Sequence, residues 1–214
     1  ACGAANGAGQ ITSVGAYALS DITTGNRNTA LGYYAGKAIT TGDDNIAIGA
    51  HCLDACTTGG YNTAIGSHAL GKSNGGQNVA IGYYALEENT TGNYNTAVGN
   101  EALTNNTTAN DNTAVGYKAL GANTTGAQNT AIGKDALDAN TTAHDNTAIG
   151  VGALGVMDGG TGQNVAVGNY SGDAITTGGS NNVLGYLSGT AITTGSNNNF
   201  FGTSAGKSTT TSDF

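Results

Sequence analysis

A short string of the type Asn-Thr-Ala-Val-Gly, as at Asn95–Gly99, returns from one end of the chain to the other, and any fold must accommodate its spacing. Its glycine falls at Gly15, Gly32, Gly49, Gly66, Gly82, Gly99, Gly116, Gly133, Gly150, Gly168, Gly185 and Gly202. The interval is 17 residues, except for one of 16 (Gly66 to Gly82) and one of 18 (Gly150 to Gly168). A fixed short period over a whole chain is the signature of a solenoid, in which each repeat stacks on its neighbours. The repeat reads Asn-Thr-Ala-(Ile/Val)-Gly-x-x-Ala-Leu-x-x-Asn-Thr-Thr-Gly-x-x, and its positions are numbered here from the first Asn.

Helix is excluded on two grounds: Gly, Asn and Thr are poor helix formers, and no apolar face recurs at 3.6. Runs of β-branched residues between Gly and Asn read as short strands with tight turns. The spacing therefore predicts an all-β parallel β-solenoid, a β-roll or β-helix, of about twelve 17-residue coils. Two strands per coil are expected, around positions 2–5 and 8–13. Twelve coils rising ~4.8 Å each give a rod of roughly 58 Å. One domain, 1–214, is expected, with a partial coil at 1–10 and twelve coils over 11–214. The 37 glycines alone would suit a flexible linker, but a linker lacks this regular apolar pattern. The absence of proline fits, because each rung must donate its backbone N–H to the ladder.

Position 4 is apolar in every repeat, which predicts a core ladder of Val14, Leu31, Ile48, Ile65, Ile81, Val98, Val115, Ile132, Ile149, Val167, Leu184 and Phe201. A second apolar group comes from position 9 or position 12. Leu86, Leu103, Leu120 and Leu137 go with Asn at position 12, whereas Gly36, Gly172 and Gly189 go with Ile39, Ile175 and Ile192. That exchange reads as one cavity filled from either side. The first repeat departs from it, with both Leu19 and Ile22. Position 3 is Ala in nine of twelve repeats. If position 4 faces inward, the Ala column (Ala97, Ala114) faces outward, and is either a close-packed interface or a tight bend. An Asn ladder is expected at position 1: Asn28, Asn45, Asn62, Asn78, Asn95, Asn112, Asn129, Asn146, Asn164, Asn181 and Asn198.

The charge is −8, which disfavours nucleic acid and anionic membrane surfaces. No apolar run approaches the ~18 residues of a membrane-spanning helix. The chain begins at Ala1 with its only methionine at Met157, so a processed product or a fragment is expected, and signal-peptide removal would place it outside the cytoplasm. Uncapped ends, with Cys2 near one and Phe200, Phe201 and Phe214 at the other, are expected to join copies through open strand edges.

Other columns carry candidate chemistry. Paired threonines such as Thr124/Thr125 would suit ice binding or a strand-and-turn ladder, and only one of each pair can face outward. Cys52 and Cys56 are either two buried thiols or a disulfide within one coil. His51 and His68 should stack, although two histidines without a carboxylate make a poor metal site, and no metal or cofactor is expected. Asp44, Asp111 and Asp145 lie beside the Asn column, where calcium ligation is conceivable, but the calcium-binding roll pattern is absent. Tyrosines at positions 6 and 7, such as Tyr33, Tyr34, Tyr83 and Tyr84, suit carbohydrate, protein or inter-protomer contact. Asn-Thr-Thr sequons at Asn89, Asn106, Asn123 and Asn140 arise from the repeat itself. No catalytic constellation is visible, so an enzyme is not expected.

The strings Asn95–Leu103 and Asn112–Leu120 resemble the tandem-repeat stalk of phage tail-fibre and bacterial surface fibre proteins. They are also similar to the heads of trimeric autotransporter adhesins, where an Ala-Ile-Gly motif builds a parallel β-roll. The resemblance covers nearly the whole chain. It implies a structural fibre subunit at a cell surface or on a virion, with adhesion as a further output. It also implies partners that are copies of itself, as an end-to-end filament or homotrimer, with a surface glycan or receptor as a further partner. The alternative function is an ice- or glycan-binding module presenting a Thr or Tyr face.

Overall fold

The computed structural model of the chain describes residue 7 and residues 9–208. Cys2 and Phe214 lie outside the described residues, as does most of the partial coil at 1–10. The chain comprises two compact units, Ala1–Asn110 and Asp111–Phe214. The first unit holds β1 (Thr12–Val14), β2 (Thr29–Leu31), β3 (Ile46–Ile48), β4 (Thr63–Ile65), β5 (Val79–Ile81) and β6 (Thr96–Val98). The second holds β7 (Thr113–Val115), β8 (Thr130–Ile132), β9 (Thr147–Ile149), β10 (Val165–Val167), β11 (Asn182–Leu184) and β12 (Asn199–Phe201). Within each unit the strands pair in chain order, parallel and one repeat apart, so Thr29 lies beside Ile46 and Thr130 beside Thr147. The protein is thus an all-β parallel β-solenoid, with no helix among the described residues.

Each coil carries one strand, at positions 2–4, and not the two expected. Positions 8–13 form consecutive tight turns, because positions 7 and 9 sit in the left-handed region. In one coil His68 and Leu70 have φ of 60° and 52°. Three-residue closures follow: Ala69 N–H donates to Gly66 O, Gly71 N–H to His68 O and Ser73 N–H to Leu70 O. Coil-to-coil bonding nonetheless continues through the turns, for example from Leu53 N–H to Ala69 O. The glycine at position 5 turns the chain out of the strand with φ of 115–142°. A side chain there would collide with the coil above: a Cβ on Gly133 would lie 2.4 Å from Gly150 O.

The inside and outside of the coil are the reverse of the sequence-based expectation. The Ala column is the inner one: Ala30, Ala64, Ala97, Ala114, Ala131 and Ala148 are all fully buried. The expected core ladder faces outward, with Val14 57% exposed, Ile81 37% and Phe201 67%; Leu31, Ile132 and Ile149 are exposed, and Ile48, Ile65, Val98, Val115, Val167 and Leu184 half-buried. The reason is volume. The interior is narrow and is already filled from the opposite wall by the position-9 leucines (Leu53, Leu70, Leu86, Leu103, Leu120, Leu137), all fully buried. Only a methyl group fits against them. Where the wall is glycine, larger groups enter: Val183 Cγ1 lies 2.7 Å from where a Cβ on Gly189 would sit, and the Phe200 ring covers Gly206. The exchange between positions 9 and 12 has the same cause, since a Cβ on Gly36 would stand 3.0 Å from Ile39 Cδ1. Leu19 and Ile22 coexist because Leu19 Cδ2 reaches into that same space above Gly36.

The Asn column runs through the interior of each unit. Asn45 Nδ2 donates to Asn28 Oδ1 (3.1 Å) and to Gly59 O (2.9 Å), while its own Oδ1 accepts from the backbone N–H and the amide of Asn62, both at 3.1 Å. Every donor and acceptor of the buried amide is used, which is the condition for placing it in a core. Each such bond contributes about 1 kcal/mol net, and stranding one buried partner costs about 1–3 kcal/mol. In the second unit, Asn198 Oδ1 is buried and has no hydrogen-bond partner among the described residues.

Candidate functional site

With the interior occupied, the outer columns are the candidate sites. The first is the strand face. Positions 2 and 4 both point outward, as alternation along a strand requires once Ala faces in. Position 2 is Thr, Ile, Val or Asn and position 4 is Val, Ile, Leu or Phe, so no charged residue occurs on this face in any of the twelve strands. The hydroxyls of Thr113, Thr130 and Thr147 are half-buried and make no hydrogen bond within the described protein. The result in each unit is a regular, uncharged array of hydroxyls beside branched aliphatic groups.

The threonines at position 13 behave differently. Thr40 Oγ1 donates to Thr57 O at 3.0 Å, and Thr23, Thr90, Thr124 and Thr176 repeat the bond with the coil above. Their position-14 neighbours, Thr41, Thr91, Thr125 and Thr142 among them, are exposed. The short coil shows how strict this ladder is. There Asn74 stands in place of the threonine pair, and its Oδ1 takes the role of the carbonyl, accepting from Thr57 N–H (2.8 Å) and Thr57 Oγ1 (2.9 Å).

The second candidate is the turn face of the first unit. The position-7 rings stack continuously over five coils: Tyr17 on Tyr34 at 4.9 Å between centroids, Tyr34 on His51 at 5.2 Å, His51 on His68 at 5.2 Å and His68 on Tyr84 at 4.9 Å. The position-6 rings stand across this stack, Tyr33 at 76° to Tyr34 and Tyr83 at 68° to Tyr84. His51 Nδ1 lies 2.9 Å from Asp54 Oδ2, and Lys72 pairs with Glu88. The Glu87 carboxyl is pushed up, first by burial and then by Glu88. The expected stacking of His51 and His68 is therefore seen, inside a longer aromatic column.

The remaining candidates resolve into structural parts. Cys52 and Cys56 are free thiols, not a disulfide: Cys52 Sγ donates to Gly49 O (3.1 Å) and Cys56 Sγ to Gly59 O (3.6 Å). Burial pushes their pKa values up, to about 12 and about 11. Ala97 and Ala114 are inside the coil and cannot form an interface. Phe200 packs over Gly206 and is only half-buried. Asp44 is held by Arg27 through two bonds of 2.6 Å, which hold its carboxyl below the usual range. His144 Nδ1 accepts Ala127 N–H at 2.9 Å, a place taken by Asp43 Oδ1 and Asn93 Oδ1 in other coils. The position-12 asparagines form a second buried ladder that the sequence did not announce. Asn140 Nδ2 donates to Asn123 Oδ1 (3.1 Å), and Asn89, Asn106, Asn123 and Asn140 are fully buried, which closes those sequons to any modifying enzyme in the folded state. No family model, curated protein or solved structure matches the chain.

Proposed function

We propose that this chain is a structural segment of an extracellular or virion fibre, without enzymatic activity, that associates laterally with copies of itself through its strand face. The observation that carries the reading is the uncharged strand face with its apolar column at position 4, which is half-exposed or exposed in both units. Contiguous apolar surface of this kind marks an interaction site. For a chain of net charge −8, self-association needs a face on which like charges do not meet, and the strand face carries none. The resemblance to fibre stalks and trimeric adhesin heads points to the same partner. The Ala column is internal and cannot make such a contact.

Sedimentation velocity of the chain over a range of concentrations tests this. Discrete dimers, trimers or longer assemblies are the expected result, and a monomer up to high protein concentration would overturn it. The unengaged threonine hydroxyls of the same face favour one second reading, an ice-binding surface. In that case thermal hysteresis appears in a chain that remains monomeric.

A further inference from the structure

We propose that the turn face of the first unit is a platform for a linear, uncharged glycan, seated across Tyr33 and Tyr83 beside the stacked imidazoles of His51 and His68. Tyr33 and Tyr83 occupy the same position in coils three steps apart, roughly 14 Å at the spacing of stacked strands. The two intervening residues at that position are Ala50 and Ser67, so the tyrosines wall a shallow trough with a low floor. Both rings are about half exposed, and both stand nearly at right angles to the column behind them. Since the column rings are stacked along the coil axis, the planes of Tyr33 and Tyr83 run along that axis.

Such a ring receives the C–H face of a pyranose, whose positive hydrogens meet the negative π face. A chain of pyranoses parallel to the stack meets one ring, crosses the small residues and meets the next. Its hydroxyls then face the polar flank, where His51 with Asp54, and Lys72 with Glu88, offer both donors and acceptors. The charges around the trough are Lys37, Lys72, Asp54, Glu87, Glu88 and Glu101, of which Lys72 pairs with Glu88 and Asp54 with His51, and the acidic excess disfavours an anionic glycan. The ladder rings already cover one another's faces, so the exposed apolar strip is one ring wide, too narrow for the buried core of a protein interface. The second unit lacks the platform: its position-7 residues are Lys118, Asp135, Gly152, Tyr170, Leu187 and Ser204.

The test is calorimetric titration with cellohexaose and chitohexaose as neutral probes and a heparin hexasaccharide as the acidic one. A neutral hexasaccharide is expected to bind saturably. Tyr33→Ser with Tyr83→Ser weakens it at least about tenfold, the loss that removing one good aromatic anchor produces. Tyr117→Ser with Tyr186→Ser, at the same position in the second unit, leaves it unchanged; both variants keep the circular dichroism of the parent, and the Tyr33/Tyr83 variant loses only the stability of its missing ring contacts. Failure of both neutral probes to bind, binding of the acidic probe alone, or equal binding by the Tyr33/Tyr83 variant would each overturn the proposal. The titration is independent of self-association when repeated on a variant with a charged strand face.

Discussion

The two units are built on the same inner columns and differ on the outside. Both have Ala, Leu or Ile, and the Asn ladder within, and both have the same glycine leaving the strand. On the turn face, however, the first unit stacks five aromatic rings where the second carries a lysine, an aspartate, a glycine and only scattered rings. The difference teaches that the fold is specified by the columns a coil cannot change, and that the turn column is free to vary because left-handed backbone there tolerates any ring, charge or hydrogen. A left-handed non-glycine residue costs about 1–2 kcal/mol locally. Lys118, at φ of 54°, bears that cost as Tyr84 does at 55°, so neighbouring coils and not the side chain hold the turn.

That comparison is broken if the two units respond differently to inner substitutions. The largest effect is expected at position 5. Gly49→Ala and Gly133→Ala would each place a Cβ within 2.6 Å of the next coil's carbonyl oxygen, at φ of 136° and 137°. Each should lower unfolding free energy by more than about 3 kcal/mol in urea titration, and by similar amounts in the two units. Asn45→Ala and Asn181→Ala come next. Asn181 uses both Nδ2 hydrogens and receives two bonds from Asn198, so its removal strands the same set of buried groups as at Asn45. A loss of about 2–4 kcal/mol is expected at either site.

High pH should separate the units. All three cysteines fall in the first, and burial raises Cys52 to about 12 and Cys56 to about 11 from an ordinary 9.0. For thiols raised in the folded state, the contribution to stability is complete below the unfolded value and is lost as pH climbs through the folded ones. Between pH 9 and 12 the first unit should therefore lose stability that Cys52→Ala with Cys56→Ala removes from the pH profile, as hydrogen exchange resolved by unit will show. The smallest effect belongs to the outer column. His68→Ala breaks two ring contacts and should cost about 1 kcal/mol, whereas Lys118→Ala at the same position in the second unit should cost less.

The period, the coil length and the Asn ladder were legible in the sequence because each is a repeated residue type at a fixed interval. The exchange of Leu86 for Ile39-type filling was legible too, as a conserved volume. The inside and the outside were not. Val98 is larger and more apolar than Ala97, and burial by hydrophobicity alone chooses Val98; the choice reverses because Leu103 enters from a left-handed position at φ of 52° and takes the space. Nothing in a leucine announces that conformation. The second asparagine ladder was hidden inside sequon-like strings, although its pairing with Leu at position 9 was the available signal. Asn74 was visible only as a gap in the threonine row, where its amide takes the role of the carbonyl.

The most direct measurement puts charge on the strand face. Ile132→Lys with Ile149→Lys places two lysines on neighbouring strands of the second unit, at positions 38% and 37% exposed. Circular dichroism and urea unfolding should change by less than about 1 kcal/mol, as for other surface sites, while sedimentation shows the assembly falling apart into monomers. Collapse of the fold would mean that position 4 is the core after all, and an unchanged assembly would mean that copies meet somewhere else.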